Sequence, residues 1–429
     1  MRGSTGTFGR RGLTSLAVAT LLAGFAGGGF GQTATGTITG TVNDTKGGAM
    51  PGTNVLVRNA DTGIDQRPVV TNETGVYTVP LLPPGNYDIT ASQPGFATVQ
   101  RKGVSLQVGQ TLRIDFEMPV AAQESLVTVT TEVPLLETER TQPAQNITEN
   151  MVGNLPVSSR RWEQFTLLTP GVNPDGTSGG ISFHGINNLY SSNSVDGANN
   201  NYHYDGGSRG GSANDGYVYS SDSIREFQVS SSGFGADVGQ TAGGSVNAVT
   251  KSGTNAWHGD AFYYGRQPRF NALDPTSKAS ADSRNVALAA SGRPLETATQ
   301  SVKQQHQYGA SVGGPLVKDK LFFFATYDGY RKINPVSVTS NQLTPGIGDA
   351  SFACPLQITA RECSDTKNYV LSHFLGTYAS NLRQDIELIK LDYQLNQSNH
   401  IDVVSNIRDW KKPMRHHSRE HSWQVPQRL

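Results

Sequence analysis

The chain has 429 residues, which is long enough for two or three domains. Lysine plus arginine and aspartate plus glutamate number 35 each, so no net charge favours binding to nucleic acid or to an acidic membrane surface. Outside the N-terminus no run of 18 apolar residues occurs, which excludes a helical membrane protein, whereas the alternating strands of a β-barrel are compatible with this composition.

Residues 1–31 have the composition of a signal peptide. A start with three arginines precedes an apolar core over residues 13–25, which is too short to span a bilayer. The small residues Gly29 and Gly31 are placed for cleavage before Gln32. The sequence therefore predicts an exported bacterial protein whose mature chain begins near Gln32.

Residues 35–118 predict a small β-sandwich. Short β-runs are separated by turn signals such as Pro83-Pro84-Gly85-Asn86. Seven strands are predicted: Thr37–Val42, Asn54–Arg58, Val69–Thr71, Val76–Val79, Tyr87–Ala91, Phe96–Arg101 and Thr111–Met118. This number of short strands in so few residues is typical of two packed sheets. The segment contains no histidine, and we expect no catalysis here.

Residues 119–150 are expected to form a linker that contains one conspicuous β-branched run, Ser125–Thr131. Two interpretations remain open. The run is either an ordinary edge strand that leads into the next domain, or an extended segment to which a partner adds a strand through free backbone N–H and C=O groups. The candidate contact residues are Val127, Thr128, Val129 and Thr130.

Residues 151–252 predict a second domain of mixed structure. A short helix is expected near residues 160–168, with Trp162, Phe165 and Leu168 on one face. Strands are expected at Ile181–Gly185, Ser194–Gly197, Ile224–Val229 and Val246–Thr250. The polar loop 198–216 either senses a ligand or is merely solvated, and its candidate ligand residues are Tyr202, His203, Tyr204 and Asp205.

Residues 253–429 contain strands with one apolar and one polar face. In the predicted strand 387–395, Ile389 and Leu391 alternate with Lys390 and Asp392. Further strands are expected at Trp257–Tyr264, Gln307–Val312, Leu321–Tyr330 and Ile401–Arg408. Such strands, of about ten residues, are what a transmembrane barrel requires. A soluble sandwich would also alternate, but it would not need polar insertions as long as residues 266–305 and 331–380.

The two cysteines, Cys354 and Cys363, lie close together in the second of these insertions. They form either a small disulfide-closed loop or a pair of free thiols. Export favours the disulfide, which would contribute about 2–3 kcal/mol by closing the loop.

Several stretches of the chain are similar to parts of one family of bacterial receptors. The stretches are EFQV, GGSVNAVTKSGTN, WHGDAFYYGR and GASVGGPLVKDKLFFFATYDGYRK. They resemble the end of the plug and the first barrel strands of TonB-dependent outer-membrane receptors. GTVNDTKGGAMPGTNVLVRN resembles the carboxypeptidase regulatory-like domain that precedes the plug in the Oar-like subgroup.

The resemblance covers most of residues 35–410 and implies a mostly β fold. The implied order is a seven-stranded β-sandwich, an α+β plug domain over residues 151–252, and the first strands of an incomplete transmembrane β-barrel over residues 253–429. Barrels of this family have about 22 strands, whereas only five to eight fit between residue 257 and the end. We therefore expect the chain to be an N-terminal fragment.

The resemblance also implies a function. We expect an outer-membrane receptor, with its N-terminal domain in the periplasm, that takes up an unidentified ligand with energy delivered by TonB and its inner-membrane complex. The expected partners are TonB, through residues 127–130, and outer-membrane lipid, but not nucleic acid. No enzyme activity, cofactor or metal site is expected. Two alternatives remain open: an Oar-like adhesion or secretion protein without import, and a soluble carbohydrate-binding sandwich.

Overall fold

The structure is a computed structural model. It describes residues 34–120, 126–129, 143–155, 160–175, 180–204, 206–210, 216–235, 238–239, 241–270, 272, 275–290, 304–338, 359–373, 376–397 and 399–412. Most of the regular structure in these residues is β-strand, which confirms the predicted mostly β class. In the same residues no helix is long and apolar enough to cross a membrane. The predicted signal peptide lies outside the described residues.

The N-terminal sandwich consists of nine strands in two sheets. The strands are β1 (Gly36–Asp44), β2 (Asn54–Asn59), β3 (Val69–Val70), β4 (Val76–Leu82), β5 (Gly85–Ser92), β6 (Thr98–Leu106), β7 (Thr111–Arg113), β8 (Phe116–Met118) and β9 (Leu126–Val129). One sheet has the order β4-β1-β7, with β8 also paired to β1, and the other has the order β3-β2-β5-β6-β9.

The core of the sandwich is built from the inward-facing residues of both sheets. Along β1 buried and partly exposed residues alternate, as a half-buried strand requires. The largest buried side chains are Tyr77, Tyr87 and Phe116. The hydroxyl groups of Tyr77 and Tyr87 donate to the backbone carbonyls of Ile114 and Pro83, each at 2.6 Å, so their polar ends are satisfied.

The last predicted strand of the sandwich is divided into two. Between β7 and β8 the carboxylate of Asp115 accepts hydrogen bonds from the backbone N–H and the hydroxyl of Thr41, at 2.7 and 2.9 Å. A side chain therefore takes the place of a backbone carbonyl in the ladder, and the strand is interrupted there.

The β-branched run of the predicted linker belongs to the sandwich. β9 pairs in parallel with β6, from Thr98 opposite Leu126 to Arg101 opposite Val129. β9 is the last strand of its sheet, and only β6 pairs with it among the described strands. The candidate contact residue Thr130 lies outside the described residues.

The central domain follows after residue 142. Its elements are β10 (Ala144–Ile147), α1 (Glu149–Asn154), a 3-10 helix (Trp162–Leu168), β11 (Val172–Asp175), β12 (Gly180–Phe183), β13 (Ser192–Val195), β14 (Ala198–Asn199), β15 (Ile224–Ser230) and β16 (Ser245–Thr250). The main sheet has the order β10-β15-β16-β13-β14, in which β13 and β16 are parallel and the other pairs are antiparallel.

One apolar cluster holds the 3-10 helix on this sheet. Trp162 and Phe165 are fully buried, and the ring of Trp162 meets that of Phe227 edge-on, with 5.1 Å between the ring centroids. The predicted apolar face is therefore correct for these two residues. It is wrong for Leu168, which is the last residue of the helix and is 48% exposed.

The C-terminal sheet is an antiparallel meander. Its strands are β17 (His258–Arg266), β18 (Gln304–Val317), β19 (Leu321–Val338), β20 (Gly376–Asn396) and β21 (Asn399–Lys411). Each strand pairs with the next in sequence, and β17 and β21 do not pair with each other within the described structure. The described sheet is therefore open, not a closed barrel.

The two ends of the C-terminal sheet differ. At one end the connections are short, with residues 318–320 between β18 and β19 and residues 397–398 between β20 and β21. At the other end the long insertions contain the helices α2 (Pro275–Ala290) and α3 (Ala360–His373), which the sequence analysis did not predict. The predicted loop 331–380 is also too long, because β19 and β20 stay paired as far as Val338 and Gly376, beyond the roughly ten residues that a bilayer needs.

The two faces of the C-terminal sheet alternate as predicted. Ile389 and Leu391 of β20 are exposed, whereas Lys390 and Asp392 are buried on the opposite face. The exposed face also carries Leu395, Ile401, Val403 and Ile407. Phe322 and Phe324 lie on the inner face with the polar residues, so that this face packs against the central domain.

Candidate functional site at the seam of the central domain

The candidate site is the seam, meaning the surface where the central domain meets the inner face of the C-terminal sheet. The first contact centres on Asp328 of β19, whose side chain is fully buried. Its carboxylate accepts hydrogen bonds from the hydroxyls of Tyr217 and Ser220 at 2.6 and 2.7 Å, and from the amide of Gln307 at 3.0 Å. Three donors therefore replace the water that burial removes from this carboxylate.

Tyr217 connects the polar and apolar parts of this contact. Its ring meets that of Tyr330 edge-on, with 5.8 Å between the centroids, and the two rings pack with Ile386 in a small apolar cluster. Burial raises the pKa of Tyr217 well above its usual value, and the neighbouring Asp328 carboxylate raises it further. The hydroxyl therefore stays protonated and remains a donor to Asp328.

The second contact is a buried ion pair at the end of the seam near the short turns. Nζ of Lys390 lies 3.6 Å from Oδ1 of Asp196 and donates to the hydroxyl of Thr250 at 3.2 Å. Asp196 in turn accepts from the hydroxyl and the backbone N–H of Thr250, at 2.6 and 2.9 Å. The backbone of Asp196 is left-handed, with φ of 49°, and Gly197 follows with φ of 78°. The turn that presents this aspartate therefore depends on the Asp-Gly pair.

The third contact joins the central domain to β17. One terminal nitrogen of Arg160 donates to both carboxylate oxygens of Asp222 at 2.9 Å. The guanidinium of Arg160 also lies over the rings of Phe262 and Tyr264, at 4.6 and 4.2 Å from their centroids. Burial raises the pKa of Asp222, and the charge of Arg160 opposes this rise. A cation held by one carboxylate and two rings fixes the loop before the 3-10 helix against the first strand of the sheet.

Behind the seam a carboxyl group is buried inside the central domain. Glu163 is 4% exposed, and neither of its carboxylate oxygens has a hydrogen-bond partner within the described residues. Burial raises its pKa to about 7, although Arg161 lowers it. Glu163 is therefore a group that changes its protonation near neutral pH.

The N-terminal sandwich is docked on the central domain through the loop after β6. The backbone N–H of Val108 donates to the carboxylate of Glu226 at 2.6 Å, and its carbonyl accepts from the side chains of Gln228 and Asn146 at 3.1 and 3.2 Å. Gly109 follows with φ of 65°, and a Cβ there would lie 2.5 Å from the Gln228 side chain. This close approach requires glycine.

The sandwich also touches the short-turn end of the C-terminal sheet. Asn255 donates through its backbone N–H to the carbonyl of Asp61 at 3.0 Å and through its side chain to the carbonyl of Thr62 at 2.7 Å. The same side chain exchanges two hydrogen bonds with Asp319 in the turn between β18 and β19, at 2.7 and 3.0 Å. Asn255 thus joins the sandwich to the C-terminal sheet.

A polar cavity of about 520 Å³ lies where the three parts meet. The sandwich contributes Gln66, Leu81, Pro83 and Pro84 to its wall, the central domain contributes Asp196, Arg225, Val249 and Thr250, and the C-terminal sheet contributes Lys390, Asp392, Gln394, His400 and Asp402. The second seam contact, between Lys390 and Asp196, therefore borders this cavity.

The sequence-predicted site residues lie in three separate places. Val127, Thr128 and Val129 are in β9. In the predicted ligand loop Tyr202 is partly buried, while His203 and Tyr204 are exposed, and Asp205 lies outside the described residues. Cys363 is disulfide-bonded, whereas Cys354 lies outside the described residues. No group of three or more potential metal ligands occurs in the described part of the chain.

Sequence reasoning did not identify the residues of the seam. Asp328 and Lys390 occupy positions that look like ordinary polar positions in alternating strands. The available signal was their charge, because an ionised side chain on the face that packs against another domain must find a partner.

Two family models match the chain. The model of the carboxypeptidase regulatory-like domain matches residues 37–119, and that of an outer membrane beta barrel domain matches residues 249–368. The TonB-dependent transporter Oar of Myxococcus xanthus is 26% identical over 300 residues, which cover 68% of this chain and 26% of the relative. The chain thus spans about a quarter of the length of this curated relative.

Solved structures of outer-membrane receptors are also similar. The siderophore receptor PirA of Acinetobacter baumannii matches with a TM-score of 0.40 and 18% identity, over 63% of this chain and 32% of the receptor. The outer membrane transporter YddB of Escherichia coli matches with a TM-score of 0.43 and 12% identity, over 64% of this chain and 34% of the transporter. The domain models and the curated relative confirm the predicted Oar-like resemblance, and the relative is a TonB-dependent transporter.

Proposed function

We propose that the chain belongs to a receptor that imports a scarce ligand across the outer membrane with energy delivered by TonB. The proposal is supported by the Oar-like order of the domains, in which a carboxypeptidase regulatory-like domain is followed by an outer membrane barrel domain. The central domain, from β10 to β16, is the plug, for which the sequence predicts residues 151–252, and β17–β21 are the first strands of the barrel around it. The observation that carries this assignment is the polar seam.

A polar seam suits a domain that must be held firmly and then moved. An apolar interface between plug and wall would separate only at the cost of exposing hydrocarbon to water. At this seam Asp328 is held by hydroxyl and amide donors, and Lys390 by a carboxylate and a hydroxyl. Water can replace such partners when the plug shifts, so the contacts are strong while closed and separable under force.

The orientation in the membrane follows from the two ends of the sheet. Barrels of outer membranes have short turns on the periplasmic side and longer loops outside. The sandwich is docked at the short-turn end, through Asn255 and Asp319, and therefore lies in the periplasm. The long insertions, with α2, α3 and the disulfide-bonded Cys363, are then extracellular, where a disulfide is stable.

Energy for uptake must arrive from the inner membrane, because the outer membrane holds no ATP. We assign the TonB contact to β9, which lies in the chain between the sandwich and the plug. One edge of β9 pairs with β6, and none of the other described strands pairs with its second edge, which we assign as the edge that offers N–H and C=O groups to an added strand. The apolar outer face of β17–β21, with Ile389 and Leu391, contacts lipid.

The proposed function is tested in cells that carry the gene with and without a functional TonB. Candidate ligands, such as siderophores, oligosaccharides and peptides, are supplied as the limiting nutrient, and growth and uptake are measured. We expect the protein in the outer-membrane fraction and uptake of one ligand class that disappears without TonB. Recovery of the protein in the soluble fraction, or no TonB-dependent uptake of any ligand class, would contradict the proposal.

A further inference from the structure

The N-terminal sandwich is hydrogen-bonded to the plug and also to the barrel strands. The loop after β6 holds the plug through Val108 and Glu226, which are both buried. The loop before β3 holds the barrel strands through Thr62 and Asn255. Gly63 beside it has φ of 70°, and a Cβ there would lie 2.5 Å from the carboxylate of Asp319, so the two surfaces are in close contact.

The docked sandwich closes one side of the polar cavity at the junction. Leu81, Pro83 and Pro84 of the sandwich face the barrel residues Gln394 and His400 across this space. The inner end of the cavity is bordered by the Lys390–Asp196 pair of the seam. A polar space therefore leads from the ion pair that holds the plug to the inner surface of the sandwich.

A continuous backbone path connects β9 to this junction. β9 pairs directly with β6, and β6 ends at Leu106, two residues before Val108. Val108 is bonded to Glu226 and Gln228 of β15, and β15 pairs with β16, which ends at Thr250 beside the Lys390–Asp196 pair. Displacement of β9 or β6 therefore acts first on the docking loop and then on the plug.

We propose that the N-terminal sandwich is a periplasmic gate over this polar cavity and that β9 is the strand by which the gate is opened. The inference rests on the proposed function, because it takes the cavity as the exit for a polar ligand. In the closed state the contacts of Val108 and Asn255 hold the sandwich against plug and barrel. Force on β9 breaks its short pairing with β6. The docking loop is then released, and the sandwich moves away from the cavity.

The composition of the interface fits a gate. Its contacts to Glu226, Gln228, Asn146 and Asn255 are hydrogen bonds to groups that water satisfies equally well once the surfaces part. The sandwich has its own core, built entirely from residues 38–118, so it moves as a unit without unfolding. The pairing of β9 covers only four residues of β6, so few backbone hydrogen bonds have to break when β9 leaves the sheet.

Labelling of a buried cysteine on the cavity wall measures whether the gate is open. Val249 lines the cavity and is 8% exposed, and the V249C variant places a small thiol there. Outer-membrane vesicles that expose the periplasmic face, from cells without TonB, are treated with a bulky charged maleimide, with the parent protein as the blank. We expect slow labelling of V249C and labelling about tenfold faster when N255A is added, since N255A removes the hydrogen bond to Thr62 of the sandwich together with the two bonds to Asp319 that hold this side chain in place.

A second undocking variant and a matched control make the result specific. E226A, which removes the acceptor for Val108, is expected to accelerate labelling of V249C in the same way. R113A removes an exposed charge from the same sandwich, in an ion pair with Asp115, but keeps the docking hydrogen bonds of Val108 and Asn255, and it is expected to leave the rate unchanged. Equal labelling rates in N255A, E226A and R113A would overturn the gate, whether or not the receptor imports anything.

A disulfide between β6 and β9 tests the role of β9. Thr98 and Leu126 are directly opposite in the register, and T98C with L126C joins the two strands under oxidising conditions without changing any of the candidate contact residues 127–130. In V249C vesicles a soluble TonB domain is expected to accelerate labelling when the T98C–L126C bridge is reduced and to have no effect when it is oxidised. Acceleration that persists with the bridge oxidised would show that TonB opens the cavity without moving β9 from β6, and it would overturn this part of the proposal.

Discussion

At the scale of single residues, the seam depends on a few charged groups that are buried with their partners. Asp328 and Lys390 are each at most 5% exposed, and each is satisfied by side chains of the central domain. A buried charge without its partner costs several kcal/mol, so these residues determine where the central domain sits. Buried charges with partners add little to the free energy of unfolding, but they favour one position of the central domain against the sheet over all others.

Replacement of Asp328 by alanine is expected to loosen the central domain. The change leaves the hydroxyls of Tyr217 and Ser220 buried without their acceptor, at a cost of about 2–4 kcal/mol, while the amide of Gln307 still donates to the hydroxyl of Tyr217. Hydrogen exchange of residues 216–230 should become faster in D328A. The control is D282A, which removes an exposed ion pair with Lys278 on α2 and should change this exchange little. Unchanged protection in D328A would mean that Asp328 does not hold the domain.

The buried carboxyl of Glu163 predicts a pH dependence of stability. Its pKa is about 7 in the folded chain against about 4.5 when unfolded, so the folded state binds the proton more tightly. The contribution of Glu163 to the stability of the central domain is therefore fully present below pH 4.5, falls as the pH rises to about 7, and then levels off, with a total loss of about 3 kcal/mol from this group. Urea denaturation followed by tryptophan fluorescence at pH 5 and pH 8 measures this fall.

The E163Q variant is the matched control for this pH dependence. Glutamine has nearly the same shape but stays neutral at both pH values, so the contribution of this site to the difference should vanish. We expect E163Q to be more stable than the parent chain at pH 8 and similar to it at pH 5. A fall of the same size in E163Q would assign the pH dependence to other groups.

At the scale of secondary-structure elements, β9 has two possible partners. It completes a sandwich sheet through β6, and its other edge is unpaired among the described strands. An edge strand with free backbone groups is a ready site for an added strand. The same four residues therefore serve the fold of the sandwich and, in the proposed function, the contact with TonB.

Proline in β9 is expected to uncouple uptake from TonB without unfolding the sandwich. V127P and V129P each remove a backbone N–H and fix φ, and either the pairing with β6 or the pairing with an added strand then loses a donor. In cells, ligand uptake should fall to the level seen without TonB, while the amount of protein in the outer membrane stays normal. V127A, which keeps the backbone donor, is the control. Normal uptake in both proline variants would exclude β9 as the contact.

At the scale of the whole molecule, the three parts of the chain differ in whether they can fold without the others. The sandwich closes its own core of buried residues, whereas the central domain and the C-terminal sheet share contacts such as the Tyr217–Tyr330–Ile386 cluster. An open sheet with unpaired edges is not stable in hydrocarbon by itself. The sandwich is therefore the part that is expected to fold alone.

Residues 34–120 expressed alone are expected to unfold cooperatively as a monomer. Substitutions of Tyr77 test the packing of the core, because its hydroxyl is buried and donates to the carbonyl of Ile114. Y77F should lower the free energy of unfolding by about 1 kcal/mol, because it leaves the carbonyl of Ile114 without this donor. Y77A should lower it by about 3–5 kcal/mol through the cavity it creates. Circular dichroism during thermal and urea denaturation gives both values, and a broad transition without cooperativity would contradict an independent domain.

The sequence alone was sufficient to predict the order of the parts and the alternation of the two faces in many strands. Turn signals and alternation located the sandwich strands, and the alternation of Ile389 and Leu391 with Lys390 and Asp392 predicted that β20 has one apolar and one polar face. These features depend on neighbouring residues, because strand periodicity is a local property. Motifs of known families supplied the Oar-like resemblance, which the domain models and the curated relative confirm.

Only the tertiary structure decided which residues form the seam and where β9 belongs. Asp328 meets Tyr217 across 111 positions of sequence, and Lys390 meets Asp196 across 194, so no local pattern reports these pairs. β9 has the composition of any edge strand, and its pairing with β6 depends on the free edge that the folded sandwich offers. Local sequence determines the form of an element, whereas its partners depend on which surfaces remain unpaired once the domains have folded.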